Sequence, residues 1–78
     1  MPKIKIYTTP FCVYCSKAKD FFSKNNLNYI EIDVTKNDST LNEMIKKSGQ
    51  MGVPVIEIED KIIVGFDQNK IKSILNLA

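Results

Sequence analysis

Residues 3–8, KIKIYT, alternate polar and apolar side chains with a period of two. That is the pattern of a strand with one buried face. Thr9, Pro10 and Phe11 interrupt it. From Val13 to about Asn25 the apolar residues Tyr14, Ala18, Phe21 and Phe22 recur at helical spacing, with lysines on the other face, and Asn25 and Asn26 end the run. Residues 27–34, LNYIEIDV, alternate again and predict a second strand, followed by the loop TKNDS. Asp38 to Ser48 reads as a second helix with a stripe of Leu41, Met44 and Ile45. Thr40 and Glu43 have the spacing of a capping box at its start, and Gly49 stops it. After the loop GQMGVP, residues 49–54, VIEIE and KIIV predict two short strands. They join through Glu59, Asp60 and Lys61, a turn without an Asn-Gly signal. Asp67 is placed to cap a last helix lined by Ile71, Ile74, Leu75 and Ala78.

The predicted order is β-α-β-α-β-β-α. The opening β-α-β unit calls for a parallel, right-handed crossover, and the last two strands must run antiparallel. One sheet with helices on both faces would bury all three helical stripes. No repeat, low-complexity segment or linker divides the chain, so residues 1–78 are expected to form a single domain.

Composition narrows the function more than the fold. Hydrophobic residues make up 44% and charged ones 26% of the chain, as in ordinary globular proteins. The net charge is +2, every cation is a lysine, and histidine is absent. The lysines are scattered rather than clustered, which argues against nucleic acid as a partner. The first residues, MPKIKIYTTP, lack the apolar core of a signal peptide, and no apolar run approaches membrane-spanning length. A cytoplasmic protein with no membrane partner is the expectation.

The chain has two cysteines, Cys12 and Cys15, in the stretch FCVYC. A structural disulfide between them would close a very short loop, constraining the unfolded chain little, and such bonds are uncommon in reducing compartments. A zinc site normally takes four nitrogen or sulfur ligands, which two cysteines without histidine do not supply. Cys12 falls where the first strand gives way to the first helix, beside unpaired N–H groups and the positive end of the helix dipole. A thiolate is stabilised there. Cys15, one helical turn on, is expected to be more covered. The asymmetry predicts that Cys12 attacks a disulfide and Cys15 resolves the mixed disulfide that results. A cluster shared between two chains remains a competing use of the pair.

IYTTPFCVYC followed by an amphipathic helix, then GVP, then VGFD, resembles the glutaredoxins of the thioredoxin-like superfamily, over nearly the whole chain. The resemblance implies a thioredoxin-like α/β fold: a four-stranded mixed sheet, the first strand central, with helices on both faces. It implies a glutathione-dependent disulfide oxidoreductase, a redox-active dithiol serving electron transport and cell redox homeostasis. Glutathione would be a co-substrate, with no tightly bound cofactor and no metal in the enzyme reading. Disulfide-containing proteins would be its partners, and a monomer its state.

The same resemblance assigns further residues. Val53-Pro54 matches a cis peptide that faces the cysteines, where the Val53 backbone pairs with an extended substrate. Gly65, Phe66 and Asp67 match the segment that takes the glutamyl end of glutathione, and Tyr14 matches a residue flanking it. Thr9 and Gln50 stand where many glutaredoxins carry basic residues for the glycyl carboxylate; a hydroxyl and an amide bring hydrogen bonds without charge. Val64-Gly65 replaces the usual Gly-Gly pair. The "GF" at Gly65-Phe66 also resembles the glutaredoxin-like hydrogen donors of ribonucleotide reductase, which take electrons from thioredoxin reductase. Two alternatives to the glutathione-dependent enzyme therefore stand: such a donor, and a glutathione-ligated iron–sulfur carrier.

Overall fold

The computed structural model describes residues 3–77. The elements are β1 (Ile4–Thr8), α1 (Val13–Lys24), β2 (Ile30–Asp33), α2 (Asp38–Ser48), β3 (Val55–Ile58), β4 (Lys61–Val64) and α3 (Gln68–Leu75). They form a four-stranded sheet in the order β2-β1-β3-β4. β1 pairs parallel with β2 and antiparallel with β3, and β3 pairs antiparallel with β4. This is the expected thioredoxin-like topology, with the first strand inside the sheet.

The period-two alternation sorts the sheet into two faces. Ile4, Ile6, Ile56, Ile58 and Ile63 meet Ala18, Phe21 and Phe22 of α1 and Ile71 of α3. On the other face, Tyr7 and Val55 pack with Val34 and with Met44 of α2. Two helices therefore cover one face and one covers the other. Lys47 of α2 reaches across the second face to Tyr7 Oη at 3.3 Å and Glu57 Oε1 at 2.9 Å. Glu57 is thereby drawn into a part-buried ion pair instead of lying on a solvated strand face.

Three local expectations are corrected. β2 begins at Ile30 rather than Leu27, because α1 ends in a Schellman motif that uses the intervening residues. Asn26 adopts φ 57°, its N–H bonds Ser23 O, and Leu27 N–H bonds Phe22 O at 2.9 Å. Leu27 and Tyr29 then pack on the α1 core instead of extending the ladder. At α2 the cap is Asn37, whose Oδ1 accepts from Ser39 N–H at 2.8 Å. Thr40 Oγ1 donates to Asn37 O, and Glu43 pairs with Lys47, so no capping box forms. On α1, Tyr14 is 60% exposed, and Cys15 fills the buried position of the stripe in its place. Asp67 caps α3 as expected, accepting from Lys70 N–H at 3.1 Å. Ala78 lies outside the described residues.

The two readings of the α2 start differ in which side chain carries the cap. Asn37→Ala is expected to cost about 1 kcal/mol in urea unfolding. Glu43→Ala, which removes the side chain that a capping box would need, should change stability by under ~0.5 kcal/mol.

Candidate active site

β1 delivers the chain through Thr9, Pro10 and Phe11 to the start of α1, where Cys12 is the N-cap residue, in extended backbone at φ −101° and ψ 112°. A cap residue turns its side chain back over the first N–H groups of the helix. Here that side chain is a sulfur: Cys12 Sγ accepts from Cys15 N–H at 3.2 Å. The first turn of α1 carries no acidic residue, so no carboxylate opposes a negative sulfur there. Cys12 is half-buried, whereas Cys15 is 1% exposed. Both thiols are free.

Burial pushes the Cys15 thiol up from an ordinary 9.0 to about 12, and its hydrogen bond with Cys12 adds to the rise. A backbone hydrogen bond from Thr9 and the charge of Lys19 pull the other way. Lys19, four residues on from Cys15 along α1, is held by Glu31 of β2 at 2.9 Å. Glu31 also accepts from the hydroxyl of Thr8, a buried polar residue at the end of β1, at 3.2 Å. This Thr8–Glu31–Lys19 chain was invisible in the sequence, since its members lie on three elements and carry no motif.

Beside the α1 start, an open groove of about 710 Å³ runs between Tyr14 and the Val53–Pro54 segment on one side and the start of α3 on the other. The Val53–Pro54 peptide is cis, as expected. Pro54 O accepts from Gly65 N–H at 2.8 Å, which ties the segment to the end of β4. Gly65 has φ +81° with open space where a Cβ would stand, so the backbone angle, rather than crowding, favours glycine there. Phe66 lines the groove with one side and packs edge-to-face on Phe21 with the other, ring centroids 5.8 Å apart.

Of the residues singled out from sequence, Tyr14, Val53, Pro54, Gly65, Phe66 and Asp67 are brought together in this groove. Cys12, Cys15, Thr9 and Gln50 do not line it. Thr9 lies in the turn leading to Cys12. The Gln50 amide is spent on its own loop: Nε2 donates to Ser48 Oγ at 3.2 Å and Gly52 O at 3.0 Å, and Oε1 accepts from Gly52 N–H. Val64, Gln68 and Asn69 also line the groove. Asn69 escaped the sequence reading, although its place two residues after the Asp67 cap was a usable signal. Among these lining residues only Tyr14 and Asp67 are titratable, and none is a lysine. Among the described residues no cluster of three or more metal-ligating side chains forms, and no helix is long and apolar enough to cross a membrane.

A central strand feeding a helix that starts on a cysteine, with a second cysteine buried one turn on and a cis-proline groove alongside, defines a thioredoxin-like protein with a dithiol site. The glutaredoxin family model matches residues 4–63. The chain is 39% identical over 72 residues to a glutaredoxin-like 8.6 kDa protein in a rubredoxin operon of Clostridium pasteurianum, covering 92% of this chain and 96% of that one. To glutaredoxin 3 of Escherichia coli it is 37% identical over 67 residues, with 86% and 81% covered. The chain belongs to the glutaredoxin family, and its chemistry is of the thiol–disulfide oxidoreductase type.

Solved structures agree with this. A mutated thioredoxin-like protein superposes with a TM-score of 0.91 at 31% identity, each chain covered completely. The glutaredoxin-like NrdH-redoxin of Escherichia coli, described as having a thioredoxin-like activity profile, gives 0.80 at 25% identity, with 91% and 92% covered. A buckwheat glutaredoxin–glutathione complex shares the fold with a TM-score of 0.77 at 24% identity, 97% and 72% covered.

Two consequences of the Cys15 environment are measurable. Iodoacetamide at neutral pH is expected to label Cys12 and spare Cys15, as peptide mass mapping would show; equal labelling would contradict the burial of Cys15. The folded chain also keeps the Cys15 proton between about pH 9 and about pH 12, where an unfolded chain loses it. Stability of the reduced protein is therefore expected to fall as pH rises through that interval, with a shallower fall in Cys15→Ala.

Proposed function

We propose that the protein is a dithiol disulfide oxidoreductase in which Cys12 attacks and Cys15 resolves. The observation that carries this reading is the unequal placement of the two sulfurs, one half-open at a helix start and accepting an N–H, the other enclosed behind it. In the first step Cys12 Sγ, as thiolate, attacks one sulfur of a substrate disulfide. The S–S bond breaks, and the leaving thiolate takes a proton from solvent. The second substrate sulfur stays bonded to Cys12.

Cys15 then gives up its proton and attacks Cys12 Sγ, and the second substrate sulfur leaves as a thiol. The substrate has gained two electrons and two protons, and Cys12–Cys15 is oxidised. Cys12 regulates its own partner in this sequence. While free, it helps to hold Cys15 protonated through their hydrogen bond and its charge. Once tied up in the mixed disulfide it carries no charge, so that part of the restraint is gone and resolution becomes easier.

Two molecules of glutathione can restore the dithiol, leaving as glutathione disulfide. In support, the groove offers the Val53 backbone for an extended peptide and the N–H groups at the α3 start for a carboxylate. Tyr14, Gly65, Phe66 and Asp67 would flank the tripeptide, as the family resemblance implies. A second reductant has its own support. No lysine lines the groove, and Gln50 is occupied elsewhere, so the groove's own lining gives the second carboxylate of glutathione no cation. That weakness favours a donor re-reduced by thioredoxin reductase. The cluster-carrier reading has no observation in its favour beyond the half-open Cys12 itself.

Cys12→Ser is expected to abolish turnover of every disulfide. Cys15→Ser should retain reduction of glutathione mixed disulfides while accumulating a covalent adduct with protein disulfides, visible as added mass. Turnover surviving in Cys12→Ser would refute the assignment of attacker. Parallel NADPH-coupled assays, with glutathione and its reductase or with thioredoxin reductase alone, identify the reductant by which of them regenerates the dithiol.

A further inference from the structure

Around the corner from the main groove lies a second pocket, of about 330 Å³, walled by Lys17, Asp20 and Lys24 of α1 and by Gln68. Its floor is the edge-to-face pair Phe21 and Phe66. Phe66 and Gln68 line both spaces, so the two adjoin. The chemistry changes along the path. The main groove has no lysine, whereas the second pocket has two lysines against a single acid. The ion pairs among the described residues engage Lys19 and Lys47 and leave Lys17 and Lys24 out. Lys17 stands 5.2 Å from the Tyr14 ring centre, at the junction of the two spaces.

Length decides what can reach the Lys24 end of this pocket. Lys24 is twelve positions beyond Cys12 and lies ~18 Å further along the helix axis. An extended peptide covers ~3.4 Å per residue, so a tripeptide spans only ~10 Å. A tripeptide bonded through its sulfur to Cys12 therefore stops short of Lys24, and a chain of five or six residues does not. From these observations we infer that the second pocket is a subsite for protein substrates. It takes an acidic side chain, with an apolar neighbour on the Phe21–Phe66 floor, from a segment that continues five or six residues past the substrate cysteine. This inference rests on the oxidoreductase reading above and names the class of substrate that the site prefers.

The test uses three disulfides: a small one, hydroxyethyl disulfide, and two twelve-residue peptides joined to a reporter thiol through a terminal cysteine. The peptides carry either two glutamates or two lysines at the fifth and sixth positions beyond that cysteine. Wild-type protein is expected to reduce the acidic peptide with a kcat/KM about fivefold above that of the lysine peptide at low salt. The preference should collapse in ~1 M salt, where the screening length falls to ~3 Å. Lys24→Glu should abolish the preference and leave hydroxyethyl disulfide turnover at the wild-type rate; Lys17→Glu, as a second charge reversal, should also remove it. Equal rates for the two peptides, or a preference that survives both reversals, overturns the subsite while small-disulfide turnover leaves the oxidoreductase reading intact. Absence of turnover on all three disulfides overturns that reading and the subsite with it.

Discussion

A sulfur occupies the place at the start of α1 that an oxygen takes in most helices. Serine, threonine, asparagine and aspartate are favoured there because a short side chain accepts one of the orphan N–H groups of the first turn. Cys12 accepts the Cys15 N–H in the same way, and the helix start thus supplies a ready counterpart for negative charge on sulfur. That single bond joins a half-buried Cys12 to a buried Cys15 one helical turn behind it. Everything upstream exists to place it: β1 is internal to the sheet, and the Thr9–Phe11 turn converts its end into a helix start.

The architecture separates load from chemistry. α1 and α3 share one face with the isoleucine rows of β1, β3 and β4, and both the groove and the pocket beyond it are formed between these two helices. Phe66 and Phe21 serve twice, as core on one side and as lining on the other. On the far face α2 is held by Met44 and by Lys47, whose ammonium meets a buried tyrosine and two carboxylates. Cys12 thus stands at the start of α1, while Val53, Pro54, Gly65, Phe66 and Asp67 of the groove come from the segments that connect the elements.

Much of this was legible because it rests on local signals. Element order followed from periodicity, the α3 cap from Asp67, and the unequal exposure of Cys12 and Cys15 from a C-x-x-C pair at a strand-to-helix junction. The errors have local causes too. Apolar Leu27 and Tyr29 read as strand residues, but they are claimed by the end of α1, which a period of two cannot reveal. Thr40 and Glu43 had the right spacing for a capping box, but Asn37 sits three residues earlier with a shorter reach to Ser39. Tyr14 looked like part of the helix stripe because a cysteine is seldom counted as the buried member. What was beyond reach was long-range. The Thr8–Glu31–Lys19 chain joins three elements, and the second pocket appears only when α1 and α3 are laid side by side.

Gln50 braces the loop between α2 and the cis proline by bonding Ser48 and both backbone groups of Gly52. The glutaredoxins it resembles commonly carry a base at that place. The two solutions exclude one another, since a lysine there would offer a cation to an incoming acid but could not accept the Gly52 N–H. Residue 50 therefore serves either as the tie of a bend or as an electrostatic handle, and as Gln50 it is the tie.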